Sequence, residues 1–511
     1  MHIVRSTLIV SIVTFASRII GYLRDVMIAS ILGAGSMNDA FLVAFRLANL
    51  FRSLFGEGAF HSAFIPIFAG MIKRRSIHYA KAFASRVQSL LFLSLFCFCV
   101  VALLSMRFIV EITTPGLTFD NPEYLNFITE LARITFPYLL LISMVAFYGG
   151  VLNSIGKFFP FASISILFNI TLIIFLLCRS VFKTTAHALC YGLLLAGIIE
   201  LIWMIYFAKR NDVIIPIKKP KINSKIKTML KRMTAGMFGA GILQVNVWID
   251  MVIASFIPGG ISFLYFADKI MQLPLAVIGT ASSLTLLPTL AKSFQVSNFE
   301  AANATQNSML KFTMFFAIPS CFGIIYLAFE IVDLLFHRGA FTHSDTLKTA
   351  AALQFFALGL PAYVLNKIFI SYLHSKGDVK TPVTIGAICL ILNACFSVAL
   401  VIPLQHSGIA LSSSIVAFIN AAMLMRGCYK YSGYKIDVRS IFSLIYNMIA
   451  ALIMVISLYV LQLLQIVNSK ILEMLFLLAS AAICYIVSYF AIFYAHKFIT
   501  TQIWRCKVKN V

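Results

Sequence analysis

The hexapeptide DVMIAS at residues 25–30 returns as DMVIAS at residues 250–255, 225 positions later. Each copy runs into a glycine-containing turn, GAG at 33–35 in the first and PGG at 258–260 in the second. A charged helical stretch follows, carrying Arg46 in one copy and Asp268 with Lys269 in the other. A proline closes each copy, Pro66 in FIPIF and Pro288 in LPTL, at an offset of 222. Order and spacing together read as duplication of a long segment. The orientation of its two copies decides the fold.

That orientation follows from the chain around them. Of 511 residues, 61% are hydrophobic and 12% charged, with 47 Phe against 18 acids; mean hydropathy is +0.94. A water-soluble domain runs near 45–50% apolar and about 25% charged, so this is a polytopic membrane protein. A span needs about 20 mostly apolar residues. Twelve such segments are plain: 83–109, 130–153, 159–178, 184–208, 234–257, 262–290, 309–335, 349–373, 381–402, 408–428, 440–464 and 472–496. Two more, 5–32 and 38–68, are interrupted by charges, which makes fourteen.

Counting alternately from an inside N-terminus, the inner segments hold 28 of the 41 bases and the outer segments seven. This bias is the positive-inside rule, and it puts both termini in the cytoplasm. The formal charge of +23 therefore holds a topology against anionic membrane phospholipid. The densest basic run, 209–232, has no aromatic interleaving, so no nucleic-acid partner is expected. Pro216 and Pro220 make it a linker rather than a continuous helix.

The repeats start six spans apart. An even number means that both begin on the same side, so they are parallel and related by a pseudo-twofold axis along the membrane normal. The expected fold is all-α: two six-helix lobes around a central cavity, plus two C-terminal helices. The expected divisions are 1–209 (spans 1–6), a basic linker at 210–233, 234–430 (spans 7–12) and 431–511 (spans 13–14 and a basic tail).

Charges inside the spans mark the working part, because an ionised group at mid-bilayer costs about 2.5–3.5 kcal/mol on insertion scales. The first two spans hold Arg18, Arg24, Asp25, Asp39, Arg46, Arg52 and Glu57; Glu200, Asp250, Asp268 and Lys269 follow. Arg18, Gly21 and Asp25 share one helical face, and Arg52 is flanked by Asn49. Internal ion pairing accounts for part of this set. Four arginines against three acids in spans 1–2 favour a guanidinium-rich cavity. Several converging arginines would suit an anion carrying more than one charge, such as a diphosphate, since a planar fork binds phosphate oxygens bidentately. Asp25, Asp39, Asn49, Glu57 and Asp268 are the expected polar support. Asp250, with Gln244 and Asn246 nearby, is a candidate sodium site alongside a plain hydrogen-bonding reading.

Enzyme chemistry finds no foothold. The nearest approach to a phosphate loop, GVLNSIGKF at 150–158, has the wrong spacing and no hydroxyl after its lysine. The ten cysteines are scattered through apolar runs without metal-ligand spacing, and no cleavable signal peptide stands out. No cofactor is expected. Motion would draw on a sodium or substrate gradient or on the membrane potential, worth about 2.3 kcal/mol per charge per 100 mV.

With these residues in place, the chain resembles the MurJ/MviN family of lipid II flippases, within the multidrug/oligosaccharidyl-lipid/polysaccharide exporter superfamily. SRIIGYLRD at 17–25 is similar to the family's opening S-R-x-x-G-x-x-R-D, and DAF at 39–41, NLFR at 49–52 and EGAF at 57–60 continue it in order. YFADK at 265–269, Leu287-Pro288 and KTPV at 380–383 extend the likeness over nearly the whole chain.

The resemblance implies alternating-access transfer of undecaprenyl-diphosphate-linked peptidoglycan precursor from the inner to the outer leaflet of the bacterial cytoplasmic (inner) membrane. It implies a cationic cavity at Arg18, Arg24 and Arg52 with Asp39 among the required polar groups, and a lipid-tail groove in spans 13–14. Cell-wall synthesis proteins are implied as partners. Two departures stand out. Lys269 occupies a usual arginine position, which keeps the charge but loses the fork. Ala48 replaces a usual proline. Export of another polyprenyl-linked oligosaccharide, and a non-transporting cell-wall scaffold, are the alternatives.

Overall fold

The computed structural model describes residues 2–52, 58–119, 121–220, 222–464 and 469–509. Side chains at 2–9, 50–52, 58–59, 232, 235–240, 243, 280, 284, 431–432 and 499–509 are outside that description. The sequence-predicted calls at Arg52 and Glu57 therefore lie outside the described residues. Helices dominate; among the described residues no strand occurs. Among the described residues ten helices are long and apolar enough to cross a membrane, eleven if the bent pair His343–Leu358 and Leu360–Ser375 is one span.

Two compact units divide the chain. The first comprises Met1–Ser262 with Arg338–Phe341. It contains α1 (His2–Leu32), α2 (Ser36–Arg52), α3 (Gly58–Arg74) and α4 (Ile77–Leu104). It continues with α5 (Pro122–Ser154), α6 (Phe159–Leu177), α7 (Thr185–Arg210) and α8 (Ser224–Ala254). The segment read from sequence as one span over 38–68 falls on α2 and α3.

The core of this unit is aromatic. Phe60, Phe64 and Phe68 lie one turn apart on α3 and stack at 5.1 and 5.2 Å between centroids. Phe64 also meets Phe147 of α5 at 5.6 Å and Phe83 of α4 at 6.1 Å. In lipid the gain from such burial is close packing rather than escape from water. The residues facing outward show why: Leu104 is 79% exposed and Leu177 64%, a cost in water and none in hydrocarbon.

α8 begins ten residues before the apolar segment predicted from position 234. Asn223 accepts the Ile226 N–H at 2.9 Å and caps the helix. The exposed Lys227 and Lys231 ride on its first turns. Residues 213–220, with Pro216 and Pro220, are non-helical, as expected of prolines that cannot supply helical N–H groups.

The second unit comprises Phe263–His337 and Thr342–Val511. Its helices are α9 (Gly260–Gln295, whose first residues belong to the first unit), α10 (Phe299–Tyr326), α11 (Ala328–Phe336), α12 (His343–Leu358) and α13 (Leu360–Ser375). α14 (Lys380–Leu404), α15 (His406–Ser432), α16 (Val438–Leu463) and α17 (Lys470–Lys509) complete it. α16 and α17 pack together, and α16 also packs on α10. Tyr485 of α17 fixes this corner by sharing its one hydroxyl proton between Asn447 Oδ1 at 2.7 Å and the Phe315 carbonyl at 2.8 Å.

The repeat is visible in the backbone. After DVMIAS the chain turns at Gly33 with φ +65°, and after DMVIAS at Gly259 with φ +75°. Both turns need the left-handed region that glycine enters without cost.

Candidate functional site

Within the first unit, Arg24 is built into a polar junction between α1 and α6. Its Nε and Nη2 donate to Asp25 Oδ1 at 3.1 and 2.6 Å, and its Nη1 donates to Asn169 Oδ1 at 2.8 Å. Asn169 in turn donates to the Ser17 carbonyl at 3.2 Å, and the guanidinium carbon lies 5.6 Å from the Phe168 ring centroid. Arg24, Asp25 and Asn169 are all buried. Gly21 permits this approach, because a Cβ there would sit 3.0 Å from Asn169 Nδ2. Arg24 is thus a pre-oriented cation whose fork is spread over two helices.

Arg18, two turns before Asp25, is exposed and forms no ion pair among the described residues. The helix places it one turn and a half from the junction.

Asp39 opens α2 and is fully buried. Its Oδ2 accepts the Gly259 N–H at 3.0 Å, while Oδ1 accepts the Ser262 N–H at 2.9 Å and the Ser262 hydroxyl at 2.6 Å. The carboxylate therefore binds the start of α9, where helix N–H groups lack partners of their own. Asn38 Nδ2 donates to the same Ser262 hydroxyl at 2.9 Å.

Farther along α2, Arg46 and Asn49 line a small cavity with Gln244, Trp248 and Met251 of α8. Its volume is about 50 Å³, room for water but far below the ~300–1,000 Å³ of ligand pockets. On α8, Asn246 Nδ2 donates to Asp250 Oδ2 at 3.3 Å. Among the described residues no group of three His, Cys, Asp or Glu side chains is gathered as for a metal ion.

In the second unit, Gln272 Nε2 donates to Asp268 Oδ2 at 2.5 Å, and Lys269 Nζ stands 5.0 Å from the Tyr265 ring centroid. Both Asp268 and Lys269 are half-buried. Glu200 is buried on α7. His61 is packed, with Nε2 2.7 Å from the Ala146 carbonyl and its ring edge-on to Phe161.

Two partners were not singled out from sequence. Asn169 is a lone amide in the apolar run ISILFNITLIIFLL, and an isolated polar group within a span is itself a signal. Ser262 follows the repeated glycine turn, but nothing local ties it to a residue 223 positions earlier.

Comparison with known proteins bears on this arrangement. The family model described as lipid II flippase MurJ matches residues 28–496. A probable lipid II flippase MurJ of Rickettsia prowazekii is 36% identical over 434 residues, covering 84% of each chain. One from Rhizobium meliloti is 35% identical over 466 residues, covering 90% of this chain and 87% of its own. A solved lipid II flippase MurJ in an inward closed conformation superposes with a TM-score of 0.82 at 26% identity, covering 96% of this chain and 100% of that one. An inward-facing multidrug transporter of the MATE family superposes at 0.71 with 14% identity, covering 84% and 99%, which is a likeness of fold.

Proposed function

Because this polytopic membrane protein belongs to the lipid II flippase MurJ family, we propose that it moves undecaprenyl-diphosphate-linked peptidoglycan precursor from the inner to the outer leaflet of the bacterial cytoplasmic membrane. The carrying observation is the family match over residues 28–496. Transfer breaks and forms no covalent bond; the protein is a transporter and not an enzyme.

The diphosphate is the group that most needs the protein, since a multiply charged headgroup meets a large penalty in hydrocarbon. Arg18, Arg24, Arg52 and Lys269 are its proposed contacts, with Asp25, Asp39, Asn49, Glu57 and Asp268 as polar support. Arg24 supports this reading best. Asp25 and Asn169 hold its guanidinium before any ligand arrives, so little side-chain freedom is lost on binding. Arg18 adds an exposed second charge on the same helix.

Fourteen spans, cytoplasmic termini, and lobes at 1–209 and 234–430 joined by the 210–233 linker complete the proposal. Residues 431–511 would carry the polyprenyl tail. Transfer would run by alternating access, coupled to membrane potential or to sodium at Asp250. Membrane phospholipids and cell-wall synthesis proteins are the proposed partners.

The test is transbilayer movement of the native precursor by purified protein in proteoliposomes, beside a different polyprenyl-linked oligosaccharide. Movement of the peptidoglycan precursor alone supports the reading. Movement of the other lipid alone assigns a different exporter, and movement of neither by folded protein under an imposed potential favours the scaffold.

A further inference from the structure

A second cationic hollow lies apart from Arg24, where α3 ends and α8 begins. It encloses about 560 Å³, within the ~300–1,000 Å³ range of ligand pockets. Its walls include Gly70, Met71 and Arg74 of α3, Arg75 just beyond it, and Lys225 and Thr228 in the first turns of α8.

Three features separate it from an ordinary solvated basic loop. Arg75 and Lys225 both stand over the ring of Tyr79, at 4.6 and 4.7 Å from its centroid, and Lys225 Nζ also donates to the phenol oxygen at 3.4 Å. Such cation–π contacts hold two long side chains in place. Arg74, Arg75 and Lys225 form no ion pair among the described residues, so three like charges share one hollow without a protein counter-ion. Finally, a Cβ at Gly70 would meet nothing within 4 Å, so the space is open beside the charges. The start of α8 adds its partial positive charge on the same side.

We propose that this hollow is a binding site for the phosphate of a lipid with net negative charge, seated at the end of the spans where the basic loops gather, and independent of the junction at Arg24. Arg74 and Arg75 would take phosphate oxygens through their forks, and Lys225 would act as a point charge. Met71 gives the glycerol or prenyl carbons an apolar wall. The proposal goes beyond the transport reading and is read by binding alone, so failure of either leaves the other standing.

The test uses the full chain in phosphatidylcholine nanodiscs, titrated with short-chain phosphatidylglycerol, short-chain phosphatidylcholine and farnesyl diphosphate, with bound ligand counted by native mass spectrometry. Phosphatidylglycerol should bind at least about tenfold more tightly than phosphatidylcholine, and weaken with salt. Gly70→Trp, which fills the hollow without touching a charge, and the double change Arg74→Gln with Arg75→Gln should each lose that preference, while Arg24→Gln should keep it. A count of bound farnesyl diphosphate lower by one in the same two variants, with Arg24 unaltered, assigns the diphosphate as a ligand of this site. An unchanged count assigns the phospholipid phosphodiester alone. Equal binding of the two phospholipids by the unaltered chain, or full retention in either folded variant, overturns the proposal.

Discussion

Asp39→Asn is the change whose consequence can be worked most closely from the structure. Three donors converge on the buried carboxylate: the Gly259 N–H at 3.0 Å, the Ser262 N–H at 2.9 Å and the Ser262 hydroxyl at 2.6 Å. An amide of the same shape can still offer one oxygen to Ser262. Its nitrogen then faces the Gly259 N–H, donor against donor, and all the remaining bonds lose their charge assistance. Hydrogen bonds to charged groups contribute about 1.5–3 kcal/mol each, and an unsatisfied buried donor costs about 1–3. Asp39→Asn should therefore destabilise the fold by about 2–4 kcal/mol. Ser262→Ala removes one bond and leaves Asn38 Nδ2 without that acceptor, for about 1–2 kcal/mol. The assay is equilibrium unfolding of the four proteins of the cycle in detergent micelles. A hydroxyl bound to an amide is worth less than one bound to a carboxylate, so Ser262→Ala should cost less in the Asp39→Asn background, with a coupling of about 1 kcal/mol. An Asp39→Asn protein within about 0.5 kcal/mol of the parent, or strictly additive effects, would refute the reasoning.

Gly339→Ala should destabilise by at least about 2 kcal/mol on backbone strain and close contact together. Gly339 has φ +60°, and its Cβ would lie 2.2 Å from the Ser30 carbonyl oxygen; Gly35→Ala, where nothing lies within 4 Å, should stay within about 0.5 kcal/mol in the same melts. Asn169→Leu should leave the precursor-transport assay at least about tenfold slower, since it removes the acceptor that holds Arg24 Nη1; an unchanged rate would show that Asp25 alone positions the guanidinium. Asp437 gives a pH signature. Burial raises its pKa, but the Ser440 hydrogen bonds and the charges of Lys311 and Arg439 outweigh that and hold it below the ordinary 3.8. A depressed pKa stabilises above the unfolded value and is lost as pH falls through the folded one, so Asp437→Asn should flatten the loss of stability below about pH 4.

Much of the architecture was legible because membrane burial imposes a long, simple signal. The apolar runs at 83–109 and 184–208 correspond to α4 and α7, and the repeated hexapeptides lead to the positive-φ turns at Gly33 and Gly259. Helix starts were less legible where apolar content and helical propensity part company. α8 begins at Ser224 because a capping asparagine and lysine-tolerant first turns extend it beyond the apolar run. The charged residues of α1 and α2 were visible as anomalies, with Asp25 among the expected polar support, but their partners on other helices were not. Arg24 meets an asparagine 145 positions away and Asp39 a serine 223 away. Periodicity reports which face a residue occupies and is silent on which helix will face it.

Arg24 is proposed as a pre-oriented contact for the diphosphate, and transport by purified protein in proteoliposomes tests that role most directly. Wild type, Arg24→Lys and Arg24→Ala are compared at matched incorporation and matched melting behaviour. The native precursor should be transported by wild type and poorly by both variants, because lysine keeps the charge but cannot span Asp25, Asn169 and a phosphate with one ammonium. Robust transport by Arg24→Ala would contradict it and place the diphosphate contact elsewhere.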